Sequence, residues 1–183
     1  ELIANLTSLG IKVPTGFATT AAAYWQWLDE TGLRSRTARE LENLDAGAPV
    51  SDVGKRMRRV VLRTPLSPTL NRAIGDAYKQ LARQSGTSAP SVAVRSSATA
   101  EDLPEASFAG QQESFLNVRG RANLLKACHR CFASLFTDRA IVYRENHGFD
   151  HMSVALSIGV QHMVRADKGS AGVMFSLDTE SGF

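Results

Sequence analysis

Two cysteines, Cys128 and Cys131, are all that 183 residues contain. That is too few for a disulfide framework and agrees with a reducing compartment. No apolar stretch approaches the ~20 residues needed to span a bilayer, and no charged-then-apolar leader opens the chain. A cytoplasmic protein without a membrane partner is therefore expected. Neither sign of charge is in real excess: 21 Lys and Arg stand against 18 Asp and Glu, a formal net of +3. Such a balance is too mild to argue for a nucleic-acid partner. The sequence also has no Gly-rich run ending in Lys-Ser/Thr and no Gly-x-Gly-x-x-Gly after a strand, which disfavours the common nucleotide folds.

What is present is a globular composition. With 43% hydrophobic and 21% charged residues, the chain can form one sizeable core or two small subdomains sharing one, and a disordered reading is set aside. The densest basic run, Lys55 to Arg59 and on to Arg63, reads as the solvated face of a helix. Arg56, Arg59 and Arg63 recur at helical spacing, and Met57, Val60 and Val61 supply the apolar side.

The period of the apolar residues divides the chain. Val13 to Phe17 is extended around Pro14 and Gly16, and Thr19 or Thr20 then caps a helix through Leu28 that stops near Gly32. A second helix is predicted from Leu33 to about Asp45. Ser67-Pro68 starts another, with Leu70, Ile74, Ala77, Tyr78 and Leu81 on one face. Up to about residue 90 the chain is mainly helical. From about 91 it is strand-rich: Ser91 to Arg95 is a buried strand, Ser96 to about Gly110 a loop, and Glu113 to Val118 a second strand. One helical stripe is predicted from Asn123 to about Tyr143. Val154 to Val164 alternates strictly, and with a turn at Arg165 to Ser170 and a return over Ala171 to Leu177 it predicts a hairpin.

The run Val94-Arg95-Ser96-Ser97-Ala98-Thr99 is the most informative. An arginine at the end of a strand is followed by three hydroxyl side chains within four residues, which offers a cation and several donors to a polyphosphate. Small side chains let backbone N–H groups approach an anion. On chemistry alone, an ordinary polar loop stands equally well. In the last long strand, Ala155, Ser157, Gly159 and Gln161 share one face, opposite Val154, Leu156, Ile158 and Val160. That face either leaves room for a flat ring or meets solvent.

The segment from Val94 to Val118 resembles the nucleotide-binding segment of the phosphoenolpyruvate synthase and pyruvate phosphate dikinase family. The resemblance extends through Phe132 to Ala140, His147 to His151, Gly159-Val160-Gln161 and Gly172 to Phe183, and opens at Val13 to Thr20. It is weakest from Leu33 to Ser88. Thr179-Glu180-Ser181-Gly182-Phe183 is similar to the synthases rather than the dikinases. Membership implies an α+β, ATP-grasp fold, here partial, with ATP and Mg2+ as cofactors. It implies Arg95 on the phosphates, Gly110 closing the backbone over the nucleotide, Ser114 where relatives often place threonine, and Gln161 near the adenosine. Ser96, Ser97 and Thr99 are further ATP-binding candidates.

The reaction implied is the gluconeogenic conversion of pyruvate, ATP and water to phosphoenolpyruvate, AMP and phosphate, by a homodimer, through a phosphohistidine on a separate domain. None of His129, His147, His151 and His162 fits that histidine's motif. The chain starts at Glu1 without Met and stops at Phe183 after an apparent strand. The resemblance puts a Gly-Gly-Lys segment before it and the metal-binding half after it, so a piece that is inactive alone is expected. Rifamycin phosphotransferases share the Arg95 to Gly110 pattern and are one rival, a pyruvate phosphate dikinase relative is another, and a non-catalytic ATP-binding module a third. Cys128-x-x-Cys131, lacking a second ligand pair, is read as core packing, and His147 with His151 as loop residues rather than a metal pair.

Overall fold

The computed structural model describes residues 6–99, 102–103, 106–107, 113–175 and 177. It is an α+β arrangement in which helices cover one face of an antiparallel sheet. The sheet is ordered β1 (Gly16–Ala18), β6 (Leu156–His162), β2 (Val92–Ala98), β5 (Ser114–Val118). A separate two-stranded ribbon, β3 (Asp102–Leu103) with β4 (Ala106–Ser107), lies between β2 and β5 in the chain.

The first half supplies helices α1 (Ala21–Glu30), α2 (Leu33–Asp45), α3 (Val50–Arg63) and α4 (Pro68–Ser85). Their ends are where the caps predict. Thr20 accepts the Ala23 N–H at 3.1 Å, and Ser67 accepts that of Leu70 at 3.3 Å with Pro68 in the first turn. In α3 the basic run divides as the spacing requires: Met57 and Val61 are buried, Arg59 and Arg63 exposed, and Arg56 and Arg58 reach Glu40 and Asp138. Trp27 is fully buried beside Tyr24 and Phe132, and its Nε1–H donates to the Pro65 carbonyl at 2.9 Å. Among the described residues, no helix is long and apolar enough to cross a membrane.

Three expectations change. The stripe predicted as one helix from Asn123 is two, α5 (Arg121–Ser134) and α6 (Asp138–Asn146), because Thr137 caps the second by accepting the Ala140 N–H. β2 does not stop at Arg95 but continues to Ala98, since β6 offers partners as far as Leu156; Ser96 and Ser97 are therefore strand rather than loop. The hairpin after β6 is not formed within residues 171–175, which are exposed coil. β6 already has β1 on one side and β2 on the other, so no edge is left on it for a returning strand.

Candidate functional site

Register decides which side chains meet. Arg95 on β2 pairs with Gly159 on β6 and with Ser114 on β5, and Gly159 pairs in turn with Ala18 on β1. Paired residues point to the same side of a sheet, so Ala18, Gly159, Arg95 and Ser114 form one row across four strands. The next row is Gly16, Gln161 and Ala93, and on the other side of the arginine Ser157 pairs with Ser97. Alternation puts Leu156, Ile158, Val160 and Val94 on the opposite face, where all four are buried with the helices. The sheet thus has a greasy face under the helices and a face of small residues around one arginine.

Arg95 is exposed and has no ion-pair partner among the described residues. Beside it lies an open depression of about 370 Å3 walled by β1 and β6, including Pro14, Gly16, Gly159 and Gln161. That volume is in the range of a small-molecule site. Gln161 is positioned by its amide nitrogen, which donates to the Pro14 carbonyl at 3.3 Å. Gly16 is obligatory in this wall: a Cβ there would lie 2.3 Å from the Val160 carbonyl oxygen, so no side chain fits while β1 pairs with β6. β6 itself is tied at two points, where Thr19 Oγ1 accepts the Ile158 N–H at 2.9 Å and Thr99 Oγ1 accepts that of Ala155 at 3.1 Å.

The structure brings Arg95, Ser114, Gln161 and Ser97 to one face. Ser96 is not among them: it pairs with Ile158, faces the helices, and its buried Oγ has no hydrogen-bond partner among the described residues. Thr99 lies just beyond β2, and its hydroxyl is engaged by Ala155. Gly110 and the run Thr179 to Phe183 lie outside the described residues. The contribution of β1 and the segment before it, through Pro14, Gly16 and Ala18, was not read from the sequence as part of the site. Its signal was Val13-Pro14-Thr15-Gly16, a short extended segment with a residue that needs no room for a side chain.

The cysteines, His129 and His151 lie elsewhere. Cys128 and Cys131 are fully buried in the core as free thiols, and burial pushes Cys128 up to about 12 and raises Cys131 as well. His129 packs edge-on to Trp27 and its Nε2 donates to the Val61 carbonyl at 2.8 Å, while burial lowers its pKa. Arg144 is buried, and desolvation brings it down to about 10. Its Nε–H donates to His151 Nδ1 at 2.8 Å, which leaves the His151 proton on Nε2, donated to Glu145 at 2.6 Å. Among the described residues, no three His, Cys, Asp or Glu side chains come together to hold a metal ion.

The comparisons with known proteins agree over the whole length. The family described as "Pyruvate phosphate dikinase, AMP/ATP-binding domain" matches residues 1–183. The chain is 52% identical over 189 residues to a phosphoenolpyruvate synthase of Synechocystis sp. and 53% over 187 residues to one of Helicobacter pylori, covering 100% of this chain and 23% of each relative. Identity to the phosphoenolpyruvate synthase of Escherichia coli is 52% over 185 residues, with the same coverage. The chain thus spans about a quarter of the length of the curated relatives it matches.

Proposed function

Because the chain belongs to the pyruvate phosphate dikinase AMP/ATP-binding domain family, we propose that it is the nucleotide-binding part of a phosphoenolpyruvate synthase with an ATP-grasp fold. The whole protein would convert pyruvate, ATP and water to phosphoenolpyruvate, AMP and phosphate. The three relatives named above carry the synthase name. The histidine that carries phosphate and the pyruvate site would lie outside residues 1–183. The whole protein would act in the cytoplasm as a homodimer.

The observation that carries this reading is the row of Arg95, Gly159 and Ser114 beside Gln161, on the sheet face opposite the one that buries Val94, Leu156, Ile158 and Val160. Phosphoryl transfer asks of a protein mostly positioning and charge stabilisation. Arg95 would meet the phosphate oxygens with its fork of N–H donors, and Ser114 would add a hydroxyl from the neighbouring strand. Ser97 extends the same donor strip. Gln161 would orient the adenosine end over Gly16 and Gly159, where the lack of side chains leaves space for a flat ring. Gly110 would close the backbone over the nucleotide. Magnesium would enter with its nucleotide, as MgATP, held largely by the phosphates.

A coupled assay for pyruvate-dependent AMP formation by the whole protein tests the reading. AMP production that requires pyruvate supports it. ATP turnover that ignores pyruvate and follows another acceptor contradicts it.

A further inference from the structure

β5 ends the sheet. It pairs with β2, and among the described residues no strand pairs with its other side. An edge of this kind presents a row of unpaired backbone donors and acceptors. Alongside it runs α5, and the two enclose a groove of about 430 Å3 whose lining includes Phe115, Asn123, Lys126, Arg130 and, at the turn between strand and helix, Arg119. Asn123, Lys126 and Arg130 follow one another at spacings of three and four, which places them on one stripe of the helix.

The charges in this groove are of one sign. Arg119, Lys126 and Arg130 line it, and among the described residues no acidic side chain does. Glu113, just before β5, meets Arg130 Nη2 at 3.5 Å, and the Arg130 guanidinium carbon stands 4.3 Å from the centre of the Phe115 ring. Arg130 is thereby held against the strand. Arg119 and Lys126 are exposed and have no ion-pair partner among the described residues.

We propose that this groove docks an extended acidic segment of a partner polypeptide, which adds to β5 as a strand and sets its carboxylates against Arg119, Lys126 and Arg130. Backbone pairing with the edge would supply part of the affinity, and alternate side chains would supply selectivity. The cations argue against a second copy of this chain at the same place, because edge-to-edge pairing of two β5 strands would bring like charges together. They favour an acidic occupant for the same reason. β5 carries an extra residue relative to β2, with Asn117 at φ 57. That bulge shortens the regular ladder and gives charge a large share of the binding. The groove rests on its own residues and is independent of the nucleotide reading, although Ser114 borders both.

Fluorescence anisotropy of the whole protein with a short labelled peptide alternating Glu and Val tests this. The expected result is saturable binding that weakens with salt and falls about tenfold or more when Arg119→Glu and Lys126→Glu are combined. A Lys-Val peptide should not bind, and a peptide of equal charge interrupted by proline should bind less well, since proline cannot complete the ladder. Circular dichroism verifies that the double variant is folded; if it is not, Lys126→Gln alone must weaken binding. No binding of the Glu-Val peptide, binding that survives charge reversal, or equal binding of the proline peptide would overturn the proposal.

Discussion

Arg95 on β2 stands directly across the ladder from Gly159 on β6. A glycine at that position leaves the space beside the guanidinium stem open from β2 to Ala18 on β1. The pairing explains why a long cation can lie over a flat, small-residue surface instead of being crowded by its neighbour. It also shows that the site is a product of sheet register more than of any one loop.

The wall beside that arginine depends on Gly16. Replacement by alanine must push β1 away from β6, because the new Cβ would fall 2.3 Å from the Val160 carbonyl oxygen. Overpacking of this kind costs about 1–3 kcal/mol. Thermal unfolding of Gly16→Ala should show the loss, and MgATP affinity should fall with it. An unchanged melting temperature would mean that β1 does not pair as described.

Gln161 stands in the next row, fixed to the Pro14 carbonyl. One neutral hydrogen bond is worth about 0.5–1.5 kcal/mol, so Gln161→Ala should weaken nucleotide binding by roughly twofold to tenfold and leave the fold intact. Calorimetric titration with MgATP measures this. An unchanged affinity removes Gln161 from the site.

Stability should depend on pH through His151. Its Nδ1 accepts from Arg144, so protonation would set two donors against each other, and its pKa is lowered, first by burial and then by Arg144, against the raising effect of Glu145 and Asp150. The folded value is below the unfolded value of about 6.5, so the unfolded chain takes the proton first as pH falls. The stabilisation is complete above about pH 6.5 and is lost as pH falls towards the folded value. Urea midpoints of the wild-type chain and His151→Gln, measured across that window, should converge at the acid end. Parallel curves would contradict the assignment.

Cys128 and Cys131 should be silent in the folded protein. Both are fully buried and their thiols are pushed up by burial, so little thiolate is exposed to a reagent. A chromogenic disulfide should label neither under native conditions and both in denaturant. Rapid native labelling would mean that the core under α5 opens readily.

Much of this was legible in the sequence where the signal is local. Ser67-Pro68 announces α4 because a hydroxyl cap and a proline belong to one helix start. The alternation of β6 identifies Gln161 and Gly159 as one face because side chains alternate along any strand. The rest depends on pairing between distant segments. β2 runs to Ala98 only because β6 is there to receive it, and that extension turns Ser96 toward the helices and away from the candidate site. The break between α5 and α6 had a local signal in Thr137-Asp138, but a continuous apolar stripe through Leu135 and Phe136 masked it. β1 joined the site through its register with β6, which no spacing within the segment reveals.

The most direct test of the proposed nucleotide site is calorimetric titration of MgATP into the whole protein with Arg95 intact and with Arg95→Ala, both verified as folded. A hydrogen bond to a charged group contributes about 1.5–3 kcal/mol, so the substitution should weaken binding by roughly tenfold to more than a hundredfold. Undiminished binding by a folded Arg95→Ala protein would contradict the assignment of this sheet face to the phosphates.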